Sequence, residues 1–173
     1  LISLEKLADR GYLSPKDLVD PPVFPEDTVD FENVIPFKLK LLRKAFANFR
    51  PTPEFEKFCE RQHAWLEDFA RFMALKKANG QVAWTEWRNP EPDQQEIQLQ
   101  KFWQWEFYRQ WAELKSYCQT HGIRVMGDIP IYVAHDSADV WSNPDLFELN
   151  RDGKSAQVAG VPPDYFSATG QLW

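Results

Sequence analysis

Residues 122–133, GIRVMGDIPIYV, decide how this chain is read. Ile123, Val125, Ile129, Ile131 and Val133 are β-branched, one charge precedes Asp128, and turn formers bound the run. That composition predicts a buried strand. Gly122 fits a left-handed cap closing a long helix just before it. A buried strand straight after a long amphipathic helix is the signature of an α/β fold with a parallel sheet.

Upstream, the helical period is sustained from about Gln94 to Thr120. Leu99, Phe102, Trp103, Phe107, Trp111, Leu114 and Cys118 mark one broad apolar face. Residues 3–10 read as a short helix capped by Ser3 and ended by Gly11. Four prolines between 15 and 25 predict an irregular connection with at most one helical turn at 15–18. A helix is expected from Phe37 to Asn48, and another from Thr52-Pro53-Glu54 to Asn79-Gly80. Residues 81–93 form a loop carrying two tryptophans. Downstream, 147–149 and 155–158 read as a small hairpin around Asp152-Gly153.

Composition narrows the function. The 173 residues suffice for one ordinary domain with a core, and 43% hydrophobic with 27% charged residues is a globular balance. The net charge of −6, without a basic stripe, disfavours nucleic acid and suits an uncharged ligand. No apolar run is long enough to span a bilayer, and no leader pattern opens the chain. Cys59 and Cys118 lie in helical patterns and are expected as reduced thiols. Eight tryptophans and 15% aromatic residues fit a bulky core, and equally a cleft that stacks on sugar rings. Both ends read as cuts in a longer protein.

Three constellations could carry chemistry. Ligands in parallel α/β folds gather at strand carboxyl ends, where Asp128 would emerge. Its alternative role is to accept backbone hydrogen bonds and shape the turn. AGVPPDYFSATGQLW, residues 159–173, places Asp164, Tyr165, Phe166 and Trp173 on a stretch stiffened by prolines and flanked by Gly160 and Gly170. It reads as an active-site lid or as a surface loop tucking its aromatics inside. HDSADVW, residues 135–141, invites a metal site, but Asp136-Ser137-Ala138-Asp139 is better read as a helix start. Asp128 and Asp164 form only a weak nomination for a glycosidic carboxylate pair, because nothing in the sequence fixes their separation.

The run FYRQWAELKSYCQTHGIRVMGDIPIYVAHDSADVW, followed by AGVPPDYFSATGQLW, resembles the 4-α-glucanotransferases, also called amylomaltases or disproportionating enzymes. LEDFARFMALK at 66–76 and LISLEKLADRGYL at the start resemble the same family. The resemblance implies an incomplete (β/α)8 barrel of the α-amylase kind, helix-rich with a helical insertion. Residues 1–173 would be part of the catalytic barrel domain: about 15–93 insertion and connecting loops, 94–173 barrel helix, strand and active-site loop. It implies α-1,4-glucans and maltooligosaccharides as partners, with no nucleic acid or membrane. No cofactor or metal is expected, and the setting is cytoplasmic, or plastidial in a plant. Asp128, Asp164, Tyr165, Phe166 and Trp173 would bind substrate. The nucleophilic aspartate, the acid/base glutamate and a further aspartate would lie downstream, so no catalytic residue is assigned and the fragment is expected to be inactive. A non-catalytic carbohydrate-binding module is the competing reading.

Overall fold

The computed structural model describes residues 1–19, 21–88, 91–129 and 132–172. Its chain divides into two compact units, each discontinuous in sequence: residues 1–61 with 101–124, and residues 62–100 with 125–173.

The first unit is helical. Helix α1 (Leu4–Asp9) starts where the Ser3 hydroxyl accepts from the Lys6 amide at 3.1 Å. A single 3-10 turn, Pro15–Leu18, follows with a reciprocal cap between Ser14 and Asp17. Helix α2 (Phe31–Asn48) begins about two turns before the expected Phe37 and carries Pro36 inside it. Asp30 explains the early start, because its side chain accepts from the Asn33 amide at 3.2 Å. One early proline removes a single intrahelical bond, and the cap supplies a compensating one.

Helix α3 (Pro53–Arg61) is separate from α4 (His63–Ala78), although residues 53–79 read as one helix. Gln62 leaves the helical conformation, with φ −99° and ψ 7°, and its side-chain oxygen accepts the Trp65 indole N–H at 2.8 Å. The break falls at the boundary between the units.

Phe49 is the hub of the first core. Its ring centroid lies 4.7 Å from Phe102, 5.2 Å from Phe55, 5.4 Å from Trp105 and 5.6 Å from Tyr12. Helix α5 (Gln94–Thr120) has the expected bounds, but the face it buries differs. Phe102, Trp105, Glu106 and Gln110 are buried, whereas Trp111 and Leu114 are exposed. The fully buried Glu106 is why polar groups line this face. Arg109 and Gln110 donate to its Oε2 at 2.8 and 3.2 Å, and Arg10 lies 3.6 Å from Oε1. A buried carboxylate survives only with such partners. Cys118 is buried and Cys59 half-buried, both as thiols.

The second unit packs α4 against the short helix α6 (Ala138–Ser142). Ala70, Ala74 and Ile97 form one buried cluster. Phe72 brings Trp87 to 5.2 Å and Trp141 to 6.0 Å. Buried Glu96 pairs with Lys77 and accepts from Gln100.

The expected buried strand is absent over 123–129. These residues form no ladder and are exposed; Met126 retains 96% of its accessible surface. A strand needs a neighbouring strand for its ladder, and none lies beside it among the described residues; the Ile123 amide donates instead to the Cys118 carbonyl at 2.9 Å. Pro130 and Ile131, also within the expected strand, lie outside the described residues. The only sheet among the described residues is an antiparallel pair, β1 (Gly160–Val161) with β2 (Gln171–Leu172).

Candidate functional site

The second unit carries the sequence-predicted residues. Residues 147–158 form the expected hairpin in reduced form, with one antiparallel bridge, Leu149 to Ser155. Asn150 builds its turn: the side-chain oxygen accepts from the amides of Asp152 and Lys154 at 3.0 and 2.9 Å. Gly153 takes the left-handed φ of 73° that the turn requires.

The next loop is fastened at its base by β1 and β2, pairing Gly160 with Leu172 and Val161 with Gln171. Gly170 allows that closure, since a Cβ there would sit 2.4 Å from the Val161 carbonyl oxygen. At the tip, Asp164 Oδ1 accepts from the amides of Phe166 and Ser167 at 2.9 and 2.8 Å, and the Asp164 amide donates to the Ser167 carbonyl at 3.0 Å. The Ser167 hydroxyl donates to the Gly170 carbonyl at 2.6 Å. One carboxylate oxygen thus shapes the turn, and the other takes no hydrogen bond from a described residue.

This turn projects two rings into solvent. Tyr165 is 89% and Phe166 78% exposed, their centroids 4.0 Å apart at 35°. The reading in which these aromatics tuck into the core is therefore overturned. Paired exposed rings beside a free acceptor suit a ligand with apolar faces and hydroxyl edges.

Asp128 lies elsewhere, on the exposed segment 123–129, where its Oδ1 accepts from the Ile129 amide at 2.8 Å. No hydrogen bond or ring contact joins it to the 160–172 loop among the described residues. The local bond matches its turn-shaping role, and Oδ2 takes no hydrogen bond from a described residue. Trp173 lies outside the described residues.

HDSADVW starts a helix. The Ser137 hydroxyl accepts from the Val140 amide, capping α6. Asp136 pairs with Lys76 and accepts from the Trp84 amide at 3.3 Å. Among the described residues no group of three or more His, Cys, Asp or Glu is placed to hold a metal ion.

Sequence reasoning gave His135 no role, yet it is an anchor. Its Nε2–H donates to the Gly153 carbonyl at 2.7 Å, its own carbonyl accepts the Trp84 indole N–H at 2.9 Å, and the two rings lie 5.4 Å apart. Trp84, His135 and Gly153 thereby tie the 81–88 loop to the hairpin. A tryptophan in a proline-flanked loop was the available signal, but the distant partners were not legible.

Comparison with known proteins fixes the class. The 4-alpha-glucanotransferase family model matches residues 1–173, so the chain belongs to that family. A 4-alpha-glucanotransferase of Synechocystis sp. is 45% identical over 193 residues, covering 100% of this chain and 38% of the relative. The chloroplastic/amyloplastic 4-alpha-glucanotransferase of Solanum tuberosum is 36% identical, covering 100% of this chain and 33% of its own. The solved amylomaltase of Streptococcus agalactiae, in complex with acarbose, matches with TM-score 0.86 and 34% identity over 100% of this chain and 39% of that one. The chain thus spans under two-fifths of the length of these relatives. Among the described residues no helix is long and apolar enough to cross a membrane.

Proposed function

We propose that the protein containing this chain transfers α-1,4-glucan segments between maltooligosaccharides, and that residues 1–173 supply walls of its glucan cleft. The whole-length family match supports the reaction class. The exposed Tyr165–Phe166 pair on its self-braced loop is the observation that carries the cleft role.

In this reading the helices are part of an incomplete (β/α)8 barrel, and segment 123–129 becomes a strand once barrel neighbours flank it. Residues 15–93 form a helical insertion, and 94–173 a barrel helix, strand and active-site loop. Asp128 and Asp164 accept from sugar hydroxyls through their open oxygens. Tyr165, Phe166 and Trp173 give apolar faces to glucose rings.

The catalytic carboxylates belong to the remainder of the protein. One attacks the anomeric carbon and forms a glucosyl ester, expelling the leaving glucan with a proton from the acid/base group. The 4-hydroxyl of an acceptor glucan then displaces the enzyme carboxylate, returning its proton to the base, with retention. Aromatic walls favour transfer over hydrolysis by excluding water and holding the acceptor. No cofactor enters, and the setting is cytoplasmic, or plastidial in a plant.

The test is incubation with maltotriose. The full-length protein should convert it into a ladder of shorter and longer maltooligosaccharides, and the 173-residue chain alone should not. A full-length protein that binds maltotriose without redistributing it overturns the transferase reading in favour of a binding module.

A further inference from the structure

Between segment 132–140 and the hairpin lies a cleft of about 290 Å³. It is distinct from the 162–170 loop, which contributes no lining residue. Val133, Val140, Phe147 and Leu149 are its apolar lining residues, and Glu148, Ser155 and Gln157 are polar residues at its rim. These three polar side chains make no hydrogen bond to another described residue. They are available to a ligand.

The lining selects a chemical class. No lysine or arginine lines the cleft, and the His135 Nε2–H is engaged by the Gly153 carbonyl. A phosphate or carboxylate ligand would find no countercharge and would face Glu148. A neutral polyol with an apolar face satisfies both lining and rim. The volume falls just below the roughly 300 Å³ at which sites for drug-sized ligands begin, which suits one sugar ring rather than a chain of them. The cleft is also a built feature. The His135–Gly153 bond and the Trp84 ring against Gly153 hold the hairpin wall at a fixed distance from the segment opposite.

We infer that this cleft is a second saccharide site, taking one glucosyl unit of a neutral glucan apart from the aromatic loop. The inference rests on the glucan reading above for its ligand, and on the cleft alone for its place. Glu148 and Gln157 accept from and donate to ring hydroxyls, and Phe147 lies beneath the apolar ring face.

Maltotriose titrated into the 15N-labelled full-length protein tests it. The amides of Glu148, Ser155 and Gln157 should shift with their own saturation curve, and E148A/Q157A should weaken that curve about tenfold. Because Glu148 and Gln157 are exposed, the fold is expected to survive both changes, which the undisturbed amides of α4 would report. Y165A/F166A should abolish the loop shifts and leave the cleft curve in place. Shifts confined to the loop, or a cleft curve unchanged in E148A/Q157A, overturn the second site while leaving the glucan reading intact. An absence of shifts anywhere overturns both.

Discussion

The Trp84 ring lies so close over Gly153 that a Cβ at position 153 would come 2.9 Å from Cη2 of the indole. The residue also holds φ 73°, where a side chain is strained whatever the space. Gly153→Ala should therefore destabilise the second unit by about 2 kcal/mol, the sum of left-handed strain and a displaced ring. Thermal unfolding checks this, with a fall of several degrees expected. An unchanged midpoint would mean that Trp84 is not fixed there.

Glu106 gives the sharpest contrast among the charged residues. Glu106 is fully buried and accepts from Arg109 and Gln110, so Glu106→Ala, which removes charged hydrogen bonds and opens a void, should cost about 3 kcal/mol. Lys6→Ala, which breaks a pair exposed on both sides, should cost under about 1 kcal/mol. Denaturant midpoints of the two variants decide it, and similar losses would contradict the account of the buried face of α5.

Glu113 predicts a pH dependence. The Lys6 ammonium that donates to it holds its carboxyl below the ordinary value of 4.5, and Arg109 adds to the effect. A carboxyl lowered on folding stabilises the native state fully above its unfolded value, and that contribution fades as pH falls through the folded value. Wild type should exceed Glu113→Gln in stability at pH 7, with the gap closing below about pH 4. A gap that persists at pH 2 would place the effect in packing instead.

Tyr165 and Phe166 separate binding from stability. Both rings stand in solvent, so Y165A/F166A should change unfolding stability by no more than about 0.5 kcal/mol. The same variant in the full-length protein should weaken maltooligosaccharide binding about tenfold, or 1.4 kcal/mol, and should lower transfer more than hydrolysis. Product analysis with maltotriose reads the ratio, and a constant ratio would count against a role in excluding water.

Much of the helical structure could be read from residue order because its causes are local. Ser3, Ser14 and Ser137 cap their helices from adjacent positions, and the 94–120 period runs unbroken between its natural stops. The failures share a different cause. Trp105 is buried against Phe49 and Phe55 while Trp111 is exposed, and periodicity does not contain those long-range partners. Gln62 breaks a helix that its neighbours would continue, at a boundary set by long-range packing. The 123–129 segment has strand composition without strand partners, so β propensity alone leaves it unpaired. At the candidate site, prolines and glycines marked a loop, but whether its rings face solvent or core was not legible from residue order. Nor was the His135 anchor, because its partners lie 51 and 18 positions away.

The bracing of the 160–172 loop sets how that loop can travel. Its base is held by only two residue pairs, whereas its tip is knotted by bonds among Asp164, Phe166, Ser167 and Gly170. Were the base to open, the tip's own bonds would keep its shape, and the ring pair would move as a stiff paddle rather than a slack rope. Under the proposed function its two faces would meet a sugar already arranged, the entropy of ordering them having been spent when the chain folded.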